Sequence, residues 1–220
     1  MNRRPYPLVA VLVASLLLAA CQTTDPYTGQ QQTSNTAKGA GIGAASGALL
    51  AMLISGTSRK NALIGAGIGA LAGGAAGSYM DAEEKKLRAQ LQGTGVSVTR
   101  SGDNLVLNMP GNITFATNQS DVAAGFYPVL NSVALVLKEY EKTLIDVVGH
   151  TDSTGPLELN MQLSNARAAA VAQYLQSQGI PSVRVQSQGV GPQYPIASND
   201  TPEGRQVNRR VDLVLRPLTV

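Results

Sequence analysis

Asp152, Asn160 and Arg167 have the types and spacing to recognise a charged ligand. Asn160 and Arg167 are seven residues apart. On a helix that places them on one stripe, about 10.5 Å apart, with Leu163 between them. A guanidinium grips a carboxylate through two hydrogen bonds, which a lysine cannot match. Asp152 supplies the opposite charge. Catalysis fits less well. His150, Asp152 and Ser164 resemble a nucleophilic triad by type only, because His150 and Asp152 are two positions apart around a turn and nothing marks Ser164 as activated. A paired-carboxylate glycosidase needs two convergent acids, and only Asp152 stands here. One His and one Cys in 220 residues exclude a multi-histidine metal site, a zinc finger and an internal disulfide, so no metal or cofactor is expected.

The elements that must position these residues lie in 94–220, which reads as a compact α/β domain. Val96, Val98 and Leu105–Leu107 flank Ser101-Gly102-Asp103-Asn104, a hairpin signal, and Ile113 and Phe115 extend its edge. Val122, Phe126, Val129, Val133, Val136 and Tyr140 keep helical spacing, with Pro128 in the first turns. Leu144–Gly149 reads as a central strand. Leu163, Ala166, Ala170, Val171, Tyr174 and Leu175 form a second amphipathic helix, ended by Gly179 and Pro181. Val183–Val190 is a strand, Gly191–Gly204 a long polar loop, and Val207, Val211, Leu213 and Leu215 alternate as a last strand. The expected fold is a mixed sheet with two helices on one face. Asp152 then follows the central strand, at the edge where such sheets bind ligands. Arg209 shares the parity of Val211, Leu213 and Leu215, which aims it toward the helix-covered face; a purely structural ion pair is its competing role. Arg210 has the opposite parity, with Asp212, and is expected in solvent. His150 is expected to be a packed or half-exposed strand residue.

Gly149-His150-Thr151-Asp152-Ser153-Thr154-Gly155, then Asn160, Leu163-Ser164, Arg167-Ala168 and Val171, resemble the signature of the OmpA-like C-terminal domain. Gln188-Gly189, Pro195-Ile196-Ala197 and Asn208-Arg209-Arg210-Val211 continue the match in order, over about residues 94–218. The resemblance implies a non-enzymatic module that binds peptidoglycan non-covalently through the diaminopimelate of the stem peptide. By the same resemblance Asp152 takes the ligand ammonium, Arg167 the carboxylate, and Asn160 and Thr151 support them; Leu163 and Arg209 complete the candidate site. Ala116 stands after Phe115 where many family members carry Asp, which puts a ligand contact from that edge in doubt.

The rest of the chain reads as an anchor. Residues 1–20 carry Arg3 and Arg4, then an apolar run from Leu8 to Leu18, too short to span a bilayer comfortably. Leu18-Ala19-Ala20-Cys21 resembles the bacterial lipobox, which implies cleavage before Cys21 and its acylation. Gln22 in place of Asp implies sorting to the outer membrane of a Gram-negative cell, with the C-terminal domain in the periplasm. Residues 21–36 form a polar tether without apolar periodicity. In 37–93, Gly39, Gly43 and Gly47, then Gly65, Gly69, Gly73 and Gly77, recur every four residues. Such stripes let helices approach at backbone contact. Each apolar block, Ala37–Ser55 and Ala62–Met80, would span roughly 28 Å as a helix. A membrane-associated glycine-zipper hairpin is expected, with Arg59 and Lys60 at its tip. The second helix continues as an amphipathic extension around Leu87 and Leu91. A flexible Gly/Ala linker is the competing reading; the strict register of the glycines disfavours it.

The formal charge is +3. From residue 94 onward nine Lys/Arg face ten Asp/Glu, a balance of −1. With no basic cluster and no Trp, nucleic acid is not an expected partner. The expected partners are peptidoglycan and membrane lipid, with a homo-oligomer possible. An outer-membrane lipoprotein tethered to the wall is the leading reading. A glycine-zipper assembly or pore, with wall binding as an accessory, is the alternative.

Overall fold

The computed structural model describes residues 22–24, 31–33, 57–65, 67–72, 75–116 and 119–219. The chain divides into two units, Met1–Ile42 and Gly43–Val220. In the first, strands β1 (Gln22–Thr24) and β2 (Gln31–Thr33) pair antiparallel, inside the segment expected to be a loop. Cys21 and the first glycine stripe, Gly39, Gly43 and Gly47, lie outside the described residues, as does Gly73.

In the second unit, α1 (Thr57–Gly65) and α2 (Ala75–Leu91) precede the hairpin β3 (Ser97–Ser101) and β4 (Asn104–Pro110). The short helix α3 (Gly111–Thr114), α4 (Tyr127–Glu139), β5 (Thr143–His150) and α5 (Leu157–Ser177) follow. The chain then forms β6 (Val185–Gly189), α6 (Pro202–Asn208) and β7 (Arg210–Pro217). The sheet order is β3-β4-β7-β5-β6, antiparallel except for the parallel β5–β6 pair. One face carries Leu105, Leu107, Ile145, Val147, Val211, Leu213 and Leu215, in the alternation expected of half-buried strands.

Among the described residues three long helices, not two, cover that face. Leu130, Val133 and Leu137 of α4 and Val171 and Leu175 of α5 pack there as their spacing predicts. Met80, Leu87 and Leu91 of α2 join the same core. The segment expected as an extension of a membrane helix is therefore part of the α/β fold, which begins before residue 94. Glu83 on α2 is fully buried, and burial pushes its carboxyl up to about 8, against the nearby Arg184 guanidinium and the Thr143 hydroxyl.

The block Ala62–Met80 is not one helix. α1 ends at Gly65, Gly67 takes φ +86°, and Leu71 forms a parallel bridge with Thr219, its N–H donating to Leu218 O. Leu63 packs with Leu144 and Leu218 on the sheet. Glycine makes a weak helix, so burying Leu63 and Leu71 against the sheet outweighs helical continuity. A Cβ built on Gly65, Gly69 or Gly77 would meet nothing within 4 Å, so among the described residues no neighbour requires glycine at these positions. Arg59 is not at a hairpin tip. Its Nη1 donates to Asp146 Oδ1 and Gln186 Oε1, and its Nη2 to Arg184 O, on the sheet's outer face. Among the described residues no helix is long and apolar enough to cross a membrane.

Two further elements differ from expectation. Ile113 lies in the single turn α3 and Phe115 forms an isolated bridge with Val122, so neither extends the edge strand. Val207 belongs to α6 and is exposed; β7 starts only at Arg210.

Removing α2 strips three large apolar side chains from the core, and each such loss costs about 2–5 kcal/mol. A fragment 75–220 should therefore melt cooperatively at a clearly higher temperature than a fragment 94–220. Equal melting temperatures by circular dichroism would show that α2 is only a connector.

Candidate functional site

The site begins where β5 ends. At Gly149 the backbone of α5 comes against the strand: a Cβ there would lie 2.0 Å from Ser164 O. Beyond it Thr151 N–H donates to Gly191 O, which carries the β5–β6 pairing up to the site. Asp152 then folds over the turn. Its Oδ1 accepts the Thr154 N–H at 2.8 Å, as Asp does in a turn, and Gly155 completes the bend with φ +86°. Asn160, near the start of α5, donates from Nδ2 to Thr154 O at 2.9 Å and braces the same loop.

Arg167 lies two turns beyond Asn160 on α5, and it is buried. Its guanidinium carbon stands 5.1 Å from the centroid of the Phe115 ring, and Nε donates to Gln119 O at 3.0 Å. Arg209 reaches in from the junction of α6 and β7. Its Nη1 donates to Asp152 Oδ2 at 2.6 Å. Burial alone would raise the Asp152 pKa, but the Arg209 and Thr154 hydrogen bonds overcome it and hold the carboxyl below its ordinary value. Burial lowers the Arg167 pKa; Arg209 adds to that and Asp152 opposes it. Arginine nevertheless stays charged at any physiological pH.

Asp152, Arg167, Asn160, Thr151, Leu163 and Arg209 all line one cavity of about 500 Å³. Gly111, Asn112, Phe115, Ala116 and Thr154 complete its wall. The six candidates from the sequence are thus brought together. Two guanidiniums and one carboxylate converge on the space. Among the described residues the buried Thr151 Oγ1 has no hydrogen-bond partner. The cavity can hold a ligand that carries both an anionic and a cationic group. Ala116 forms part of its wall but offers no charge. Phe115 and Asn112 were not expected in the site. Phe115 looked like a strand residue, and no local signal marks Asn112. Among the described residues no group of His, Cys, Asp or Glu could hold a metal.

Arg210 corrects the expectation of a solvated side chain. It does lie on the face opposite the helices, but it is 2 % exposed. Its Nε donates to Asp212 Oδ2 at 3.0 Å and its Nη2 to Tyr194 O at 3.2 Å. Asn108 Nδ2 donates to Asp212 Oδ1, and His150 Nε2 lies 3.2 Å from Asp212 Oδ2. Parity placed Arg210 on the correct face; the loop around Tyr194 covers that face. Burial lowers the His150 pKa against the pull of Asp212. Ser164 is equally structural: its Oγ accepts the Gly191 N–H and donates to Met161 O.

The two neighbouring arginines should therefore behave oppositely. Arg210→Ala leaves the buried Asp212 charge without its main partner and should cost about 3–5 kcal/mol of stability. Arg209→Ala removes a half-exposed guanidinium and should cost no more than about 1 kcal/mol. Urea unfolding of the two variants checks this; similar losses would contradict the assigned roles.

The comparisons with known proteins agree in outline. Residues 114–209 match the OmpA family, and residues 1–81 match the YMGG-like Gly-zipper. The chain is 50 % identical over 220 residues to the "Probable lipoprotein YiaD" of Escherichia coli strain K12, covering 99 % of this chain and 100 % of that protein. It is 40 % identical over 105 residues to the "Peptidoglycan-binding protein ArfA" of Mycobacterium tuberculosis strain H37Rv, covering 48 % of this chain and 32 % of that one. Among solved structures it resembles the cell wall anchor of the T6SS from Pseudomonas aeruginosa, with a TM-score of 0.55 and 29 % identity, over 61 % of this chain and 99 % of that one.

Proposed function

Since the chain belongs to the family of the probable lipoprotein YiaD and carries an OmpA family domain, we propose that it tethers the outer membrane to the cell wall by gripping the diaminopimelate of peptidoglycan stem peptides. The side chain of that residue presents an ammonium beside a carboxylate. Asp152 takes the ammonium and Arg167 takes the carboxylate. Arg209 holds Asp152 ionised and in place, and Asn160 fixes the loop that carries it. Thr151 Oγ1 supplies one more polar contact. No bond is made or broken, so the protein acts as a binder and not as an enzyme.

The observation that carries this reading is the single cavity in which buried Arg167 and the Asp152–Arg209 pair face a common space. A buried guanidinium over an aromatic ring, held through Nε, keeps its outer nitrogens as a preset fork. The membrane end of the tether is acylated Cys21, since several acyl chains give stable anchoring at about 0.8 kcal/mol per buried methylene. The match of residues 1–81 to a glycine-zipper family supports a membrane-proximal role for the first part of the chain. The relatedness to a lipoprotein supports the envelope of a Gram-negative cell as its place.

Sedimentation with purified sacculi tests the proposal. Arg167→Lys keeps the charge but loses the fork, and Asp152→Asn keeps the turn but loses the ammonium partner. Each should weaken binding by about tenfold or more, as loss of a hydrogen bond between charged groups does, while circular dichroism stays unchanged. Folded variants that sediment as well as wild type would exclude this site.

A further inference from the structure

We infer that a second cavity beside the first receives an N-acetylated sugar of the same peptidoglycan strand. This rests on the peptidoglycan reading above and extends it from the peptide to the glycan. The second cavity, about 440 Å³, opens between β4, α3 and α6. Asn112 lines both cavities. A ligand that fills the first and continues past Asn112 therefore enters the second.

The lining chemistry differs sharply from that of the peptide site. Asn108, Asn112 and Gln206 contribute carboxamides and Glu203 a carboxylate, over an apolar floor of Ile113 and Val207. No Lys or Arg lines it. Asn108 Nδ2 donates one hydrogen to Asp212 Oδ1, which pins that carboxamide in the cavity wall. Carboxamides both donate and accept, which suits hydroxyls and an acetamido group; a carboxylate accepts from hydroxyls or from an amide N–H. Val207, 48 % exposed on α6, offers the apolar contact that an acetyl methyl or a sugar face would cover. A stem peptide carries free carboxylates, which Glu203 would repel without a cation nearby to offset it. A glycan sugar whose lactyl carboxyl is already amide-linked to the peptide is neutral. The charge of the cavity therefore favours sugar over a second stretch of peptide.

Isothermal titration of the detergent-solubilised full-length protein separates the possibilities. One probe is the tetrapeptide L-Ala–D-Glu–diaminopimelate–D-Ala; the other is the same peptide on its N-acetylglucosaminyl–N-acetylmuramyl disaccharide. Wild type should bind the sugar-bearing probe about tenfold more tightly. Replacing Glu203→Ala together with Gln206→Ala, both exposed residues, should bring the two affinities to within about twofold and leave tetrapeptide binding unchanged. Equal affinities in wild type, or loss of tetrapeptide binding in the double variant, would overturn the sugar site while leaving the peptide site intact. Failure of wild type to bind either probe would overturn the peptidoglycan reading, and this inference with it.

Discussion

The approach of α5 to the ends of β5 and β6 is the constraint from which the site follows. It is a contact between backbones. A Cβ on Gly149 would sit 2.0 Å from Ser164 O, and one on Gly189 would sit 2.2 Å from Asn165 N. Neither distance is physical for a side chain, so only glycine fits at these two positions. Hydrogen bonds then fix the register: Gly189 N–H donates to Asn165 Oδ1, and Gly191 N–H to Ser164 Oγ. The helix cannot slide or lift without breaking them. Asn160, Leu163 and Arg167 ride on that helix, and Thr151 and Asp152 leave the strand it touches. Their common cavity is therefore set by the packing of glycines that make no contact with it.

The outer face of the sheet depends on a different rule, that buried charge must be paired and hydrogen-bonded. Asp212 is surrounded by Arg210, Asn108 and His150. Asp146 is held between Arg59 and Arg216. Arg184, 1 % exposed, donates to the carbonyls of Leu137, Tyr140 and Thr143, where α4 ends and β5 begins. It satisfies the orphan carbonyls of that helix end and places a positive charge against its negative pole. Asn208 fastens the covering loop through the N–H groups of Ile196 and Ala197, and Asn199 Oδ1 ties that loop to Ser153 N–H beside Asp152. The same loop thus covers the buried charges and steadies the rim of the site.

Much of this was legible from residue types and spacing. Alternation located β7 and helical periodicity located α4 and α5, while the resemblance carried by Gly149–Gly155 pointed to residues that line one cavity. What escaped was non-local. Val207 continues the parity of Val211 and Leu213, which masked α6. Thr201-Pro202-Glu203 is nevertheless a good helix start, and Thr201 Oγ1 does accept the Gly204 N–H. Arg210 looked solvated because parity tells which face a residue takes, not what covers that face. Leu87 and Leu91 announced an amphipathic helix but not its partner. Glycines every four residues suggested one long helix through Met80, yet Leu63 packs with Leu144 and Leu218, and the backbone of Leu71 bridges to Thr219.

The direct test of the account is a titration of the 15N-labelled protein with a stem tripeptide, followed by backbone amide shifts. Two peptides that differ at one group are compared: one carries diaminopimelate, the other lysine, which keeps the ammonium and lacks the side-chain carboxylate. The diaminopimelate peptide should shift Thr151, Asp152, Asn160 and Arg167 most, and the lysine peptide should bind far more weakly. Equal binding of both peptides, or shifts concentrated away from the cavity between β5 and α5, would contradict the account.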